Sequence, residues 1–111
     1  MLKEIFSPRG SEYIFGRSGY VYVIKSPYGV KIGCSIEPEK RAKAIDASVP
    51  FNTSIVAIIP CEDMYLVENR LHREFKPKRI KGEWFSLNEN DLAEIDNIKR
   101  DMNIPIDDAP F

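Results

Sequence analysis

Residues 19–34 read GYVYVIKSPYGVKIGC, and the way this stretch is parsed decides the fold. Tyr20 to Lys25 is rich in β-branched and aromatic residues, the composition of a strand. Ser26-Pro27-Tyr28-Gly29 carries turn chemistry, with a proline whose φ is preset and a closing glycine. Val30 to Cys34 resumes the strand pattern, so the two runs make a β-hairpin. If Ile24 faces Lys31 across the hairpin, Tyr22 faces Gly33. Side chains alternate along a strand, so Tyr22, Ile24, Lys31 and Gly33 then share one face, while Val21, Val23, Val30 and Ile32 share the other.

Beyond the hairpin, Ser35 and Glu37-Pro38-Glu39 open a helix: a candidate cap, a proline in the first turn, and acids at the positive end. It runs to about Ser48, with Ala42, Ile45 and Val49 inward, and Pro50 ends it. Ser54 to Ile59 is wholly apolar apart from its serine and is expected to be a central strand buried on both faces. Glu62 to Phe75 is an amphipathic helix whose stripe is Met64, Val67, Leu71 and Phe75. Gly82 breaks the chain. Trp84 to Leu87 is a short strand or packed extended segment, and Asn88 to Met102 is a last helix with Leu92, Ile95 and Ile98 on one face. The sequence shows no internal repeat. The expected class is α+β: a small three-stranded, mostly antiparallel sheet flanked by helices, in the order β-β-α-β-α, with an extra C-terminal helix. A hairpin at the start excludes a doubly wound sheet. Residues 1–18 are expected to form an N-terminal arm, 19–102 the domain and 103–111 a tail.

The 111 residues suit one domain with one modest core. No apolar run approaches the roughly 20 residues that span a bilayer. Met1-Leu2-Lys3-Glu4 does not open a secretory signal. The expectation is an intracellular, cytoplasmic protein with no membrane partner. Two cysteines, Cys34 and Cys61, and one histidine argue against a structural zinc site, and the cysteines read as small packing residues. A net charge of −1 argues against a large nonspecific DNA-binding surface. The charges are uneven, however: Arg70, Arg73, Lys76, Lys78, Arg79 and Lys81 lie close together.

GYVYVI, a turn and VKIG resemble the two strand motifs of the GIY-YIG endonuclease superfamily. The order that follows is similar too: Arg41 on the first helix, Glu68 on the second in Glu-x-x-Leu-His, then Arg79 and Gly82-Glu83-Trp84-Phe85. With KIG in place of YIG, the pattern looks like a phage-associated and meiotically up-regulated-gene-like branch. It covers Gly19 to about Leu87. The resemblance implies a divalent-metal-dependent endonuclease that hydrolyses DNA phosphodiester bonds and nicks as a monomer, with one Mg²⁺ or Mn²⁺ per site. It implies catalytic roles for Tyr22, at the tyrosine that ends the first motif, and for Arg41, at the scissile phosphate. Glu68 stands at the sole acidic metal ligand and His72 at the helix histidine of the branch. Lys31 stands where a tyrosine usually stands, which is a departure. DNA is the implied partner, with a homodimer or a specificity partner as further options and a phage or mobile element as the setting.

The chemistry can be weighed on its own. Phosphodiester hydrolysis needs an activated water and charge stabilisation at phosphorus. A tyrosine with a pKa near 10 is a poor base unaided. Lys31 either draws Tyr22 towards its phenolate or holds the phosphate, and Gly33 leaves room for a backbone or a water. His72 lies four residues after Glu68 on the same helix face, so the two make either an i,i+4 hydrogen bond or the edge of a metal site. Lys78, Arg79 and Lys81 are either a solvated loop or phosphate contacts. Trp84 and Phe85 read as core, with a base-stacking platform as the lesser reading. The alternative function is a catalytically degenerate nucleic-acid-binding or regulatory protein on the same scaffold. Lys31 favours it; Tyr22, Arg41 and Glu68 weigh against it.

Overall fold

The computed structural model describes residues 17–108. Most of the expected arm, residues 1–16, and the end of the expected tail, 109–111, lie outside the described residues. Strands β1 (Gly19–Ser26) and β2 (Gly29–Ser35) form the antiparallel hairpin. Its turn is closed by Ser26, whose Oγ accepts from the N–H groups of Tyr28 and Gly29 and donates to the Gly29 carbonyl. The register pairs Tyr22 with Gly33 and Ile24 with Lys31, as the alternation requires.

The chain continues through α1 (Pro38–Ser48), β3 (Ser54–Cys61), α2 (Met64–Glu74), β4 (Arg79–Lys81), β5 (Trp84–Phe85) and α3 (Glu89–Asp108). The strands make one five-stranded antiparallel sheet in the order β3-β1-β2-β5-β4. This corrects the expected three-stranded sheet. Left at three strands, β2 would present a row of unpaired backbone groups along its outer side. The β4–β5 hairpin caps part of that row, Val30 and Lys31 pairing with Phe85 and Trp84. Strands of three and two residues carry too little alternation to be read from sequence, and Arg79-Ile80-Lys81 has the composition of a loop.

A second correction concerns β3, which lies at the edge of the sheet rather than its centre. Ile55 and Val56 remain 41% and 43% exposed, at the point where the β1–β3 register shifts. The strand buried on both faces is β1, which lies between β3 and β2 and whose Val21, Tyr22, Val23 and Ile24 are all buried. An apolar run is compatible with either position; the neighbouring strands decide.

Each face of the hairpin has its own helical cover. Ala42 and Ile45 of α1 pack on Tyr22 and Ile24. Pro38 sits in the first turn of α1, and Ser35 Oγ accepts the Glu37 N–H at 2.9 Å just ahead of it. On the opposite face, Val21, Val23, Val30 and Ile32 meet Met64 and Leu71 of α2, Ile95 and Ile98 of α3, and Phe75 and Phe85. Asp63 caps α2 by accepting the Leu66 N–H at 3.0 Å. The last helix runs to Asp108, beyond the Met102 end expected. Among the described residues, no helix is long and apolar enough to cross a membrane.

The two strand and helix placements differ in what substitution costs. Leu71→Ala empties a fully buried position and is expected to cost about 2–5 kcal/mol in urea unfolding. Val56→Lys is expected to stay within about 0.5 kcal/mol, as for an exposed position. A loss at Val56 as large as that at Leu71 would return β3 to the interior.

Candidate active site

Tyr22 is 1% exposed on β1, yet its hydroxyl reaches the far side of β2. It does so across Gly33: a Cβ on residue 33 would overlap the phenol oxygen and Cζ. The room left by this glycine is therefore filled by the tyrosine opposite it, not by backbone or water. The same absent Cβ would lie 3.0 Å from Glu83 Oε1, so the phenol and this carboxyl meet over one residue.

Glu83 owes its position to the β4–β5 turn. Gly82 adopts a φ of 57°, a left-handed conformation that suits glycine, and Arg79 Nε donates to its carbonyl at 2.8 Å. The next carbonyl, that of Glu83, accepts the Ile32 N–H at 3.0 Å. This anchors the turn on β2 and leaves the Glu83 side chain beside Gly33, where β5 no longer pairs. Lys31 Nζ lies 2.9 Å from Glu83 Oε1 and 5.6 Å from the Trp84 ring centroid.

Two helices complete the cluster from opposite faces. From α1, the Arg41 guanidinium comes beside the Tyr22 phenol and opposes the rise of its pKa. From α2, Glu68 reaches the strand edge and lies beside the Glu83 carboxyl and the Cys34 thiol. Tyr22, Lys31, Arg41 and Glu68 are thus brought together around Gly33, with Glu83 among them.

The charges are not all satisfied. Burial, then the Glu83 charge and hydrogen bond, push the Glu68 carboxyl up to about 7, against the opposing pull of Cys34 and Lys31. A carboxylate beside another disfavours the ionisation of its neighbour. Burial also raises the Tyr22 phenol; Arg41 opposes this, while Glu83 and Glu68 add to it. Burial, with Glu68 beside it, holds the Cys34 thiol well above its ordinary value. At neutral pH, Tyr22 and Cys34 therefore keep their protons. The cation beside the phenol is Arg41, whereas the Lys31 ammonium sits on Glu83.

His72 stands apart from this cluster. Its Nε2 is 2.8 Å from the Ile32 carbonyl oxygen, and its ring lies 5.1 Å from that of Phe85. With Nε2–H as donor, the histidine ties α2 to β2 and sets where Glu68 clears the strand. Neither of the two arrangements considered from helical spacing had this partner. Of Lys78, Arg79 and Lys81, Lys78 is paired with Asp91 at 2.7 Å, and its hydrogen bond lowers the Asp91 carboxyl. Arg79 braces the turn, and Lys81 is exposed opposite Trp84.

The donor set limits which metal would fit. Glu68 and Glu83 offer adjacent carboxyl oxygens at an open strand edge. Among the described residues, no group of three His, Cys, Asp or Glu side chains is arranged to hold a metal ion. Two carboxylates completed by waters and a phosphate suit a hard cation such as Mg²⁺; they do not make a zinc cage. Sequence reasoning assigned no role to Glu83 or to the Cys34 thiol. The available signal was the Gly82-Glu83 turn, which throws an acid towards a lysine otherwise lacking a counter-charge.

A family model for the T5orf172 domain matches residues 19–102. No curated protein and no solved structure matches the chain. The family match corrects the GIY-YIG resemblance: the T5orf172 domain is a different family with a nuclease-like fold, and GIY-YIG is not indicated. The resemblance rested on short motifs in order, and its departing position, Lys31, is engaged with Glu83 rather than standing in for a tyrosine. T5orf172 domains are associated with phage-type nuclease and DNA-binding functions, so the family supports a nucleic-acid-related function without specifying a reaction. With the match extending over most of its length, the chain belongs to the T5orf172 domain family.

Proposed function

We propose that the protein is a divalent-metal-dependent endonuclease that hydrolyses DNA phosphodiester bonds and, as a monomer, nicks one strand. The reading is carried by the convergence of two cations, two carboxyls and a phenol over Gly33. Arg41 is exposed beside the phenol and can meet a phosphate oxygen, where negative charge grows in the transition state. Tyr22 keeps its proton at neutral pH and so offers an O–H donor to the phosphate or to the attacking water. Glu68 and Glu83 would hold the cation, and Lys31 fixes Glu83 against the strand edge. A Mg²⁺ or Mn²⁺ ion bound there would activate water and neutralise charge on the phosphate. DNA is the partner in this reading. The alternative, a binding protein without catalysis, differs in one observable: plasmid left intact with Mg²⁺ present.

Gly33→Ala is expected to displace the phenol and lower cleavage by about 100-fold or more, the scale of a small misplacement at a reacting centre. Binding in EDTA should change little. Full activity in this variant would separate Tyr22 from the chemistry.

Glu68→Gln is expected to abolish cleavage while leaving the protein folded. It should also change the pH dependence of stability. The folded-state value of Glu68 is raised from 4.5 to about 7, so folding favours its neutral form. The wild type should therefore lose stability relative to Glu68→Gln as pH rises through this window, then level off. Mg²⁺ binds the ionised form and should recover the loss above about pH 7. Parallel melting curves for the two proteins across pH in EDTA would contradict the assignment.

A single site performs one displacement, so a supercoiled plasmid is expected to become nicked circles first. Linear product should appear later and rise with enzyme concentration. Linear product from the earliest times at low enzyme would point to an obligate dimer.

A further inference from the structure

Helix α1 packs on one face of the sheet over β3, β1 and β2, where its cluster includes Tyr22 and Ile24. Farther out on that face, over β5 and β4, α1 makes no comparable packing. Three rings stand there instead. Trp84 lies opposite Lys31 on β2 and Lys81 on β4. Phe51, from the segment after α1, meets Trp84 edge-on with centroids 6.5 Å apart, and meets Tyr28 of the hairpin turn at 5.1 Å. Tyr28 is 74% exposed, and Ile80 beside Gly29 is 55% exposed.

This row of rings has a direction. It starts at the solvent-facing Tyr28 and ends at Trp84, over which Lys31 sits, and Lys31 is itself bonded to Glu83 of the candidate active site. The aromatic surface and the cluster are therefore continuous. A chain of net charge −1 has little long-range attraction for a phosphate backbone, so a strand entering the site needs another source of grip. Stacking of bases on aromatic faces supplies one that tolerates any sequence, and the exposed Lys81 flanks Trp84 with positive charge complementary to phosphate. The rings are tilted against one another at 65° and 81°, which suits separately turned bases. A base within a duplex cannot reach a ring face without leaving its stack.

We propose that Tyr28, Phe51 and Trp84 form a stacking platform for unpaired bases, making single-stranded or locally unpaired DNA the substrate class. The assignment rests on the nuclease reading for the strand's destination, but binding can be measured without cleavage. Trp84 is the sole tryptophan, so its fluorescence reports on the platform directly. The full chain in EDTA is titrated with oligothymidylate and with a duplex of equal length. Quenching should saturate at lower concentration with the single strand. Tyr28→Ala should weaken that binding by about 5-fold or more, the scale of one lost base stack, while Tyr28→Phe retains it. Equal affinity in Tyr28→Ala, or binding of duplex alone, would overturn the platform. So would Trp84 emission that follows protein concentration and ignores oligonucleotide, which would assign the face to a second copy of the chain. Nicking by a protein that shows no quenching would remove the platform and leave the nuclease reading intact. Quenching without nicking would do the reverse.

Discussion

The opposition of Tyr22 and Gly33 across the hairpin is the constraint on which the rest depends. A slip of one residue in β1 would carry Tyr22 to the face beneath α2 and turn Val21 and Val23 towards α1. In the observed register, the large side chain meets the one residue of β2 over which it can pass. The compact turn at Ser26–Gly29 favours this register locally, and the burial of Val21, Val23, Val30 and Ile32 on the other face favours it globally. Lys31 beside Trp84 and the Ile32 carbonyl beneath His72 follow from the same pairing.

The edge of β2 is also where the fold retains electrostatic tension. Partly buried charges are costly unless paired. Lys31 pairs with Glu83, and Arg41 with the Tyr22 oxygen, which leaves Glu68 against another acid. A leucine there would spare the fold this repulsion. The arrangement makes sense for a protein that meets a positive charge at this point, since carboxyls held near neutrality by burial and by each other mark sites of use more often than sites of support.

Periodicity made much of this legible. Alternation in residues 19–34 separates the two faces, and the apolar spacing of Met64, Leu71 and Phe75 orients α2, which in turn turns Glu68 towards the strand edge. What escaped had no period to reveal it. The β4–β5 hairpin is too short to alternate, so Glu83 reads as a loop acid. The Ser54–Cys61 strand is apolar whether central or peripheral. The His72 partner is a backbone carbonyl 40 residues away, invisible to reasoning confined to one helix. Family identity was the least secure inference, because a hairpin, an arginine, a glutamate and a histidine in order describe the layout of a site and not its ancestry.

The two halves of the cluster are anchored unequally. Arg41 belongs to α1, whose hold on the sheet is a small patch of Ala42 and Ile45 against Tyr22 and Ile24. Glu68 belongs to α2, locked into the larger core with α3 and bound to β2 through His72. Local opening follows such differences, since elements with little buried apolar surface detach at lower free energy than those at the centre of a core. On warming, the amides of α1 would lose protection before those of α2, parting the guanidinium from the phenol while Glu68 stays in place. Separation of Arg41 from Tyr22 and melting of the whole domain would therefore be distinct events.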